Sequence, residues 1–193
     1  MGSKIPFQWL ISFSMFFLIE KTMAIETPRY EVLKKNKVFE IRQYNATIIA
    51  KTDVKSDLKG ASSTGFRRIA NYIFGGNSTS ESIAMTAPVI TTSSSLDQEY
   101  EVLFFMPAEY NMTNLPKPNL SNVEIEERFL GKIASVKFGG WVNEKNTKYY
   151  TTQLKDFLKQ EKYEIIGPVM VAQYNSPWAL PPFRKNEILV KVN

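Results

Sequence analysis

Histidine and cysteine, the side chains behind much nucleophilic, acid–base and redox catalysis, do not occur in the 193 residues. Ser–His and Cys–His catalytic pairs, thiol redox centres and most zinc sites require one of them. Gly75-Gly76-Asn77 also lacks the Lys-Ser/Thr ending of a phosphate-binding loop. The sequence therefore favours a binding protein and predicts that the chain is not an enzyme.

Paired carboxylates are the remaining enzymatic alternative, as in glycoside hydrolysis. Glu124 and Glu126 lie two residues apart on one face of a predicted strand, and Glu127 points to the other face. To act as acid and base they would need a cleft and a raised pKa, and no neighbouring residue predicts either. We interpret them as solvated surface charges.

Large apolar side chains are abundant, with 13 Phe, 9 Tyr, 3 Trp and 7 Met. Most are expected to fill the core. The loop 176–183 is different, because it places Trp178 and Phe183 among three prolines that exclude a central strand. This loop either folds over the core or presents an apolar surface to a ligand.

Basic residues are in mild excess and are scattered among acidic ones, for a formal net charge of +5 at pH 7. The densest basic groups, at residues 34–37 and at Arg67-Arg68, lack the interleaved aromatic residues of a groove for single-stranded nucleic acid. We predict solvated surface at both places and no nucleic-acid partner.

Residues 1–24 form a separate unit with Lys4, an apolar run over residues 5–19, and small residues near position 24. This pattern is typical of a secretory signal peptide that is removed from the mature protein. A membrane anchor is the competing interpretation, although the run is short against the roughly twenty residues of a spanning helix. A translation start at Met23 is the third.

We therefore predict a signal peptide over residues 1–24 and one domain over residues 25–193. The location is expected to be secreted or extracytoplasmic, and periplasmic in a bacterium, without stable membrane insertion after cleavage. It would be cytoplasmic if Met23 were the true start. In a eukaryote, four Asn-x-Ser/Thr triplets would be potential glycan acceptors: Asn45, Asn77, Asn111 and Asn119.

Two amphipathic helices are predicted between short strands. The first carries one apolar stripe and ends at Gly75-Gly76; its members are Phe66, Ile69, Ala70, Ile73 and Phe74. The second follows a cap at Asn143 or Asn146; its stripe consists of Tyr150, Leu154, Phe157 and Leu158. Strands are predicted at residues 30–33, 39–44, 47–54, 83–91, 100–106, 123–129, 132–138, 163–174 and 187–192.

The order strand, strand, helix, strand occurs twice, over residues 39–91 and 123–174. Such a repeat predicts two related halves whose strands form one curved antiparallel sheet, with the two helices packed on it. The predicted fold class is α+β.

Several segments of the chain together resemble the SOUL heme-binding protein family. The most specific is Met85-Thr86-Ala87-Pro88, which follows the Gly75-Gly76-Asn77 turn. The matching segments are residues 26–32, 39–44, 65–77, 83–89, 105–107, 115–118, 172–178 and 184–188. They occur in the order found in the family and span the whole chain after residue 24.

The resemblance implies a distorted antiparallel β-barrel of two similar halves, flanked by two helices. It also implies non-covalent binding of heme or another tetrapyrrole along the first helix and a nearby loop, with basic residues for the propionates. Some family members use a histidine to ligate the iron, and this chain departs from them because it has none. Tyr or Met would be a weak ligand, or the protein would supply none.

The candidate site is placed on the first helix and its surroundings and consists of Phe66, Arg67, Ile69, Ala70, Ile73, Phe74, Met85 and Trp178. At 100° per residue, Arg67 lies beside Phe74 while Arg68 points away, so Arg67 is the expected propionate partner. Two alternatives stay open: the helix stripe packs wholly on the sheet, and Met85 belongs to the core.

The predicted function is binding and transport or buffering of heme or a related porphyrin through an apolar pocket without His ligation. The alternative is a module of the same fold that binds another flat amphiphilic small molecule.

Overall fold

The computed structural model describes residues 25–93, 98–176 and 179–193. The predicted signal peptide and Trp178 lie outside these residues. Within them the elements are β1 (Tyr30–Asn36), β2 (Phe39–Lys55), α1 (Leu58–Ile73), β3 (Val89–Ser93), β4 (Glu99–Phe105), β5 (Glu124–Gly139), α2 (Glu144–Glu161), β6 (Ile165–Gln173) and β7 (Lys185–Val192), with a 3₁₀ turn at Pro181–Phe183.

Six strands close into an antiparallel barrel in the order β2-β4-β3-β6-β7-β5, and β5 pairs back onto β2. The remaining strand, β1, pairs with the first part of β2. The two halves are β2-α1-β3-β4 and β5-α2-β6-β7, and their long first strands run antiparallel to each other along the middle of the sheet. The predicted α+β fold with two similar halves is confirmed.

Two pairs of predicted strands are in fact single long strands. Residues 39–44 and 47–54 both belong to β2, and residues 123–129 and 132–138 both belong to β5. The two long strands pair with each other on both sides of the interruption, with Tyr44 opposite Gly131 and Ala46 opposite Phe129. Because β2 and β5 pair with each other on both sides, each strand continues through residues where the local sequence predicted an interruption.

The predicted strand over residues 83–91 was wrong in its first half, because β3 begins at Val89. Pro88 has no N–H group with which to continue a ladder, and the preceding residues form a connection instead. That connection is anchored by the Thr86 hydroxyl, which donates to the carbonyl of Phe105 at 2.6 Å. Met85 therefore lies in a connection and not in a strand.

Each helix begins at a residue that caps its free N–H groups. The Asp57 carboxylate accepts from the Gly60 amide at 2.7 Å, and the Asn143 side chain accepts from the Asn146 amide at 2.8 Å. Of the two predicted caps for the second helix, Asn143 is therefore the correct one. None of the helices in the described parts of the chain is long and apolar enough to cross a bilayer.

The interior of the barrel is filled by side chains. Ile49, Leu103, Ile133 and Leu189 are among the buried residues that meet there. A cavity lined by Ile133, Leu189 and other residues of this cluster has a volume of only about 10 Å³, which is at most enough for one water molecule.

Candidate ligand-binding site

The predicted stripe of α1 divides into an inward row and an outward row. Ile69 and Ile73 are 0% and 1% exposed and pack into the cluster that joins α1 to the sheet. Gly65 brings this side of the helix against β4, where an added Cβ would lie 2.4 Å from the Cβ of Val102. The inward row therefore supports the helix and leaves little surface for a guest molecule.

The outward row consists of Phe66, Ala70 and Phe74, which follow one another at intervals of four residues along the helix. Phe66 is half-buried and packs at the edge of the α1 cluster, with its ring 5.6 Å from that of the buried Phe104 and tilted against it. Phe74 is 62% exposed. We call these three residues, together with the exposed Arg67, the α1 flank.

Two hydrogen bonds show how α1 is placed on the sheet. On one side of the helix, Arg68 donates to the backbone carbonyl of Asp53 in β2 at 2.8 Å. At the N-terminal end, the Ser62 hydroxyl donates to the Gln173 side chain at the end of β6 at 3.0 Å. The helix therefore bridges from β2 to β6, and Arg68 points away from the stripe, as the helical spacing predicted.

The loop that follows β6 leaves the sheet beside the first turns of α1. Leu180 and Phe183 in this loop are 65% and 70% exposed, so this part of the loop presents apolar surface and does not cover the core. Trp178 lies outside the described residues, and its role in a site stays a prediction. Met85 is half-buried at the edge of the α1 cluster.

Arg67 is the cation of the α1 flank. Its guanidinium makes a long contact of 3.3 Å with the Thr64 hydroxyl of the preceding helical turn. No carboxylate of the described residues forms an ion pair with it. Its planar donor group therefore remains available to a carboxylate-bearing ligand.

A second concave surface lies at one end of the barrel, and no sequence pattern predicted it. Its volume is about 600 Å³, and we call it the basic cleft. Its lining includes Tyr30, Lys137, Phe138, Tyr174, Arg184 and Lys185. They come from four separate stretches of the chain, so no local motif marks them.

A buried ionic network forms the base of the basic cleft. Arg42 is 0% exposed and donates two hydrogen bonds of 2.7 Å to the Glu187 carboxylate. It also donates to Glu40 at 2.6 and 2.8 Å, and Lys137 donates to the other Glu40 oxygen at 2.7 Å. The Tyr174 hydroxyl completes the network by donating to Glu187 at 2.9 Å.

The pKa values within this network follow from burial and pairing. Burial by itself would raise the pKa of Glu40, but hydrogen bonds from Lys137 and Arg42 outweigh it and lower the pKa to about 2. Burial and the Glu187 charge raise the pKa of the Tyr174 hydroxyl, which keeps this group protonated as a donor. The network is therefore charged and internally paired at neutral pH.

The carboxylates Glu124 and Glu126 lie on one face of β5, as predicted, and both pair with Lys51, at 3.3 and 3.5 Å. Glu126 also accepts from Arg128 at 2.7 Å. Burial works to raise the pKa of Glu126, but the bond from Arg128 outweighs it and the pKa is lowered. A general acid needs the opposite shift, so this pair is a surface ion cluster.

The comparison with protein families matches the family described as SOUL heme-binding protein to residues 25–191. Heme-binding protein 1 of Xenopus laevis is 26% identical over 186 residues, which cover 90% of this chain and 97% of that protein. Heme-binding protein 2 of Homo sapiens is 28% identical over 176 residues, which cover 86% and 85%. These matches confirm the resemblance seen in the motifs.

Solved structures with the same fold are more distant in sequence. The C-terminal domain of EcmrR has a TM-score of 0.59 at 11% identity and covers 85% of this chain and 98% of that one. A hydrolase from Listeria innocua has a TM-score of 0.58 at 10% identity and covers 83% and 94%. At this identity the similarity concerns the barrel fold alone.

Proposed function

We propose that this chain, which belongs to the SOUL heme-binding protein family, binds heme or a related tetrapyrrole on the α1 flank and performs no reaction on it. The observation that carries the proposal is an aromatic row with an unpaired arginine beside it, in a chain whose family match covers residues 25–191. Of the predicted site residues, Phe66, Arg67, Ala70 and Phe74 form this surface.

The flank supplies the two interactions that a porphyrin dianion needs. Phe66, Ala70 and Phe74 offer an apolar row against the flat face of the macrocycle, and covering an exposed Phe side chain contributes about 1.5–3 kcal/mol. Arg67 at the edge of this row can pair with a propionate.

Binding would be non-covalent and without imidazole. The chain has no cysteine for thioether attachment and no histidine for axial ligation. Among the residues near the flank, the Met85 thioether is a weak iron ligand at best. Most of the binding free energy would then come from enclosing the macrocycle, and the affinity would depend little on the metal.

A ligand held in this way can leave without breaking an iron–protein bond, which suits a protein that carries or buffers tetrapyrroles. We place this activity in residues 25–193 and outside the cytoplasm, on the evidence of the signal-like segment 1–24. N-terminal sequencing of the protein from its native compartment tests this. A mature N-terminus near residue 25 supports export, and one at Met1 or Met23 contradicts cleavage.

The environments of the potential glycan acceptors sharpen the test of export. Asn77 is buried, and its amide nitrogen donates to the carbonyls of Tyr72 and Glu81 at 3.0 and 2.8 Å, so a glycan there is incompatible with the fold. Asn45, Asn111 and Asn119 are exposed, and the Asn119 amide nitrogen donates to the Asn77 carbonyl at 3.2 Å. In a eukaryotic secretory host we expect the Gln variants of Asn45 and Asn111, but not of Asn77, to lose glycan mass.

The direct test is a parallel titration of the protein with hemin and with metal-free protoporphyrin IX, followed by Soret absorbance. We expect saturable binding of both, with similar dissociation constants. No saturable change at micromolar protein would contradict binding. Hemin binding far tighter than that of the metal-free ring would contradict a site without a strong axial ligand.

A different flat amphiphile on the same flank is the second candidate, because an aromatic row and one arginine contain nothing specific for iron or for pyrroles. Competition decides between the two. If unrelated planar acids displace protoporphyrin IX at equal concentration, the site is a general one. If they do not, the macrocycle itself is recognised.

A further inference from the structure

We infer that the basic cleft is a second binding site, independent of the α1 flank, and that its ligand is a flat aromatic anion. Its volume of about 600 Å³ lies within the range of 300–1,000 Å³ that is usual for small-molecule sites. Its walls are built largely on β5, β7 and the segment before β1, whereas the α1 flank is on the opposite half of the repeat.

The charges around the cleft favour an anion over a cation. Glu187 is the carboxylate in the lining, and its two oxygens accept from Arg42 and from the Tyr174 hydroxyl at 2.7–2.9 Å. Arg42 thus compensates the Glu187 charge from behind the cleft. The other charged groups of the lining are the cations Lys137, Arg184 and Lys185. Glu40 offsets the charge of Lys137 from behind the lining, and Lys185 leaves the cavity positive.

Two of these cations have donors to offer. The Lys137 ammonium gives one hydrogen bond to Glu40, and an ammonium carries three N–H groups. Lys185 is exposed and forms no ion pair with a carboxylate in the part of the chain that the structure describes. A carboxylate or sulfonate in the cleft could therefore accept from both.

The shape of the walls favours a flat ring. The Tyr30 ring packs on the Arg42 guanidinium, with 4.5 Å to the ring centroid, and this fixes one aromatic wall over the ionic base. The Arg184 guanidinium, another planar group of the lining, lies over the Trp141 ring at 4.0 Å, which holds it in place. Planar groups that are already held in place bind a planar ligand with little reorganisation.

The base of the cleft is also rigid. Arg42 and Glu187 lie on strands β2 and β7, which flank β5 in the sheet, and every charged group of the network is tied to at least one other. The ligand would therefore meet a preformed surface. A preformed site loses less conformational entropy on binding than a mobile one.

The experiment uses 2-naphthoate as the probe and 2-naphthamide as its uncharged analogue of the same shape. Calorimetric titration of the protein is expected to show saturable binding of the acid and at least about tenfold weaker binding of the amide, since charged hydrogen bonds are lost. No binding of naphthoate, or equal binding of acid and amide, would overturn the inference.

Variants of the lining lysines test whether naphthoate binds in the basic cleft. We expect Lys185→Gln to weaken naphthoate binding by about tenfold and Lys137→Gln/Lys185→Gln by more, while Lys148→Gln on the outside of α2 leaves it unchanged. Because Lys137 also pairs with Glu40, its loss can lower stability, and Lys185→Gln alone keeps the test valid. An unchanged dissociation constant for Lys185→Gln would overturn the assignment.

A last arm separates this site from the porphyrin site. Protein saturated with protoporphyrin IX is expected to bind naphthoate with the same affinity as free protein. Mutual exclusion would show that one site takes both ligands and would refute the independence of the two. If the porphyrin fails to bind at all, the naphthoate titration still stands by itself.

Discussion

The α1 flank and the basic cleft are two surfaces of one barrel that use opposite means of recognition. The flank is an apolar row on the outer side of α1, with one arginine at its edge, and the inner side of this helix packs tightly on the sheet. The cleft is concave and cationic, above an ionic network in which Glu40, Arg42 and Glu187 are almost completely buried. Apolar contact gives affinity with little direction, whereas fixed charges select ligands by sign and shape, so the two surfaces should differ in what they bind and in how mutations affect them.

Loss of the arginine at the base of the basic cleft should destabilise the protein most. Arg42→Met would leave Glu40 and Glu187 buried with fewer partners, and we expect a loss of about 3–5 kcal/mol in the free energy of unfolding. Denaturant titration measures it. The matched control is Arg68→Met on α1, which loses bonds at a partly exposed position and should cost about 1 kcal/mol. Equal losses in both variants would show that the buried network contributes no more to the free energy of unfolding than a partly exposed arginine does.

The next effect is the acid sensitivity of the same network. Because the pKa of Glu40 is lowered from 4.5 to about 2 in the fold, its contribution is fully present above pH 4.5 and is lost as the pH falls toward 2. The shift corresponds to about 3 kcal/mol. We expect Glu40→Gln to remove this part of the pH dependence of unfolding, with Glu109→Gln on the surface as the control. Parallel pH profiles for native protein and Glu40→Gln would contradict it.

On the flank, the sharpest change is at Arg67. Arg67→Gln removes one charge-assisted bond to a propionate and should weaken hemin binding by about 1.5–3 kcal/mol, which is about tenfold or more. Arg68→Gln lies on the same helix but bonds to β2, so it serves as the control and should leave hemin binding unchanged. If the two variants bind hemin equally well, Arg67 does not belong to the site.

The smallest effect is on the free energy of unfolding, at the contact between α1 and β4 that supports the flank. Gly65→Ala would place a Cβ 2.4 Å from that of Val102 and so push α1 away from β4. Overpacking of this kind costs about 1–3 kcal/mol, while the higher helix propensity of Ala returns about 1 kcal/mol. We expect a net loss of about 1 kcal/mol in denaturant titration. An increase in the stability of Gly65→Ala would mean that α1 packs less closely on β4 than the structure indicates.

The same two surfaces show which features of the site can be predicted from the sequence. The stripe of α1 was visible because a helix repeats every 3.6 residues, and the family resemblance supplied its meaning. The periodicity did not separate Ile69 and Ile73, which pack inward, from Phe66 and Phe74, because that division depends on how the helix is set against β4. The repeat predicted two similar halves on one curved antiparallel sheet, and the resemblance implied a barrel, but the strand order was not predicted.

The basic cleft was out of reach for a different reason. Tyr30, Lys137, Tyr174 and Lys185 are far apart in the chain and meet only because the sheet closes. Arg42 and Glu187, 145 residues apart, carry no local sign that they are buried as a pair. Long-range pairing of this kind is set by strand register, which spacing along the sequence does not reveal.

On the proposed function, a porphyrin lies against the α1 flank without imidazole ligation. The most direct test is a titration of ¹⁵N-labelled protein with metal-free protoporphyrin IX, followed residue by residue through amide chemical shifts. We predict saturable changes across residues 66–74, with residues 137–141 little affected. Changes confined to residues 137–141, or none at saturating porphyrin, would contradict the account.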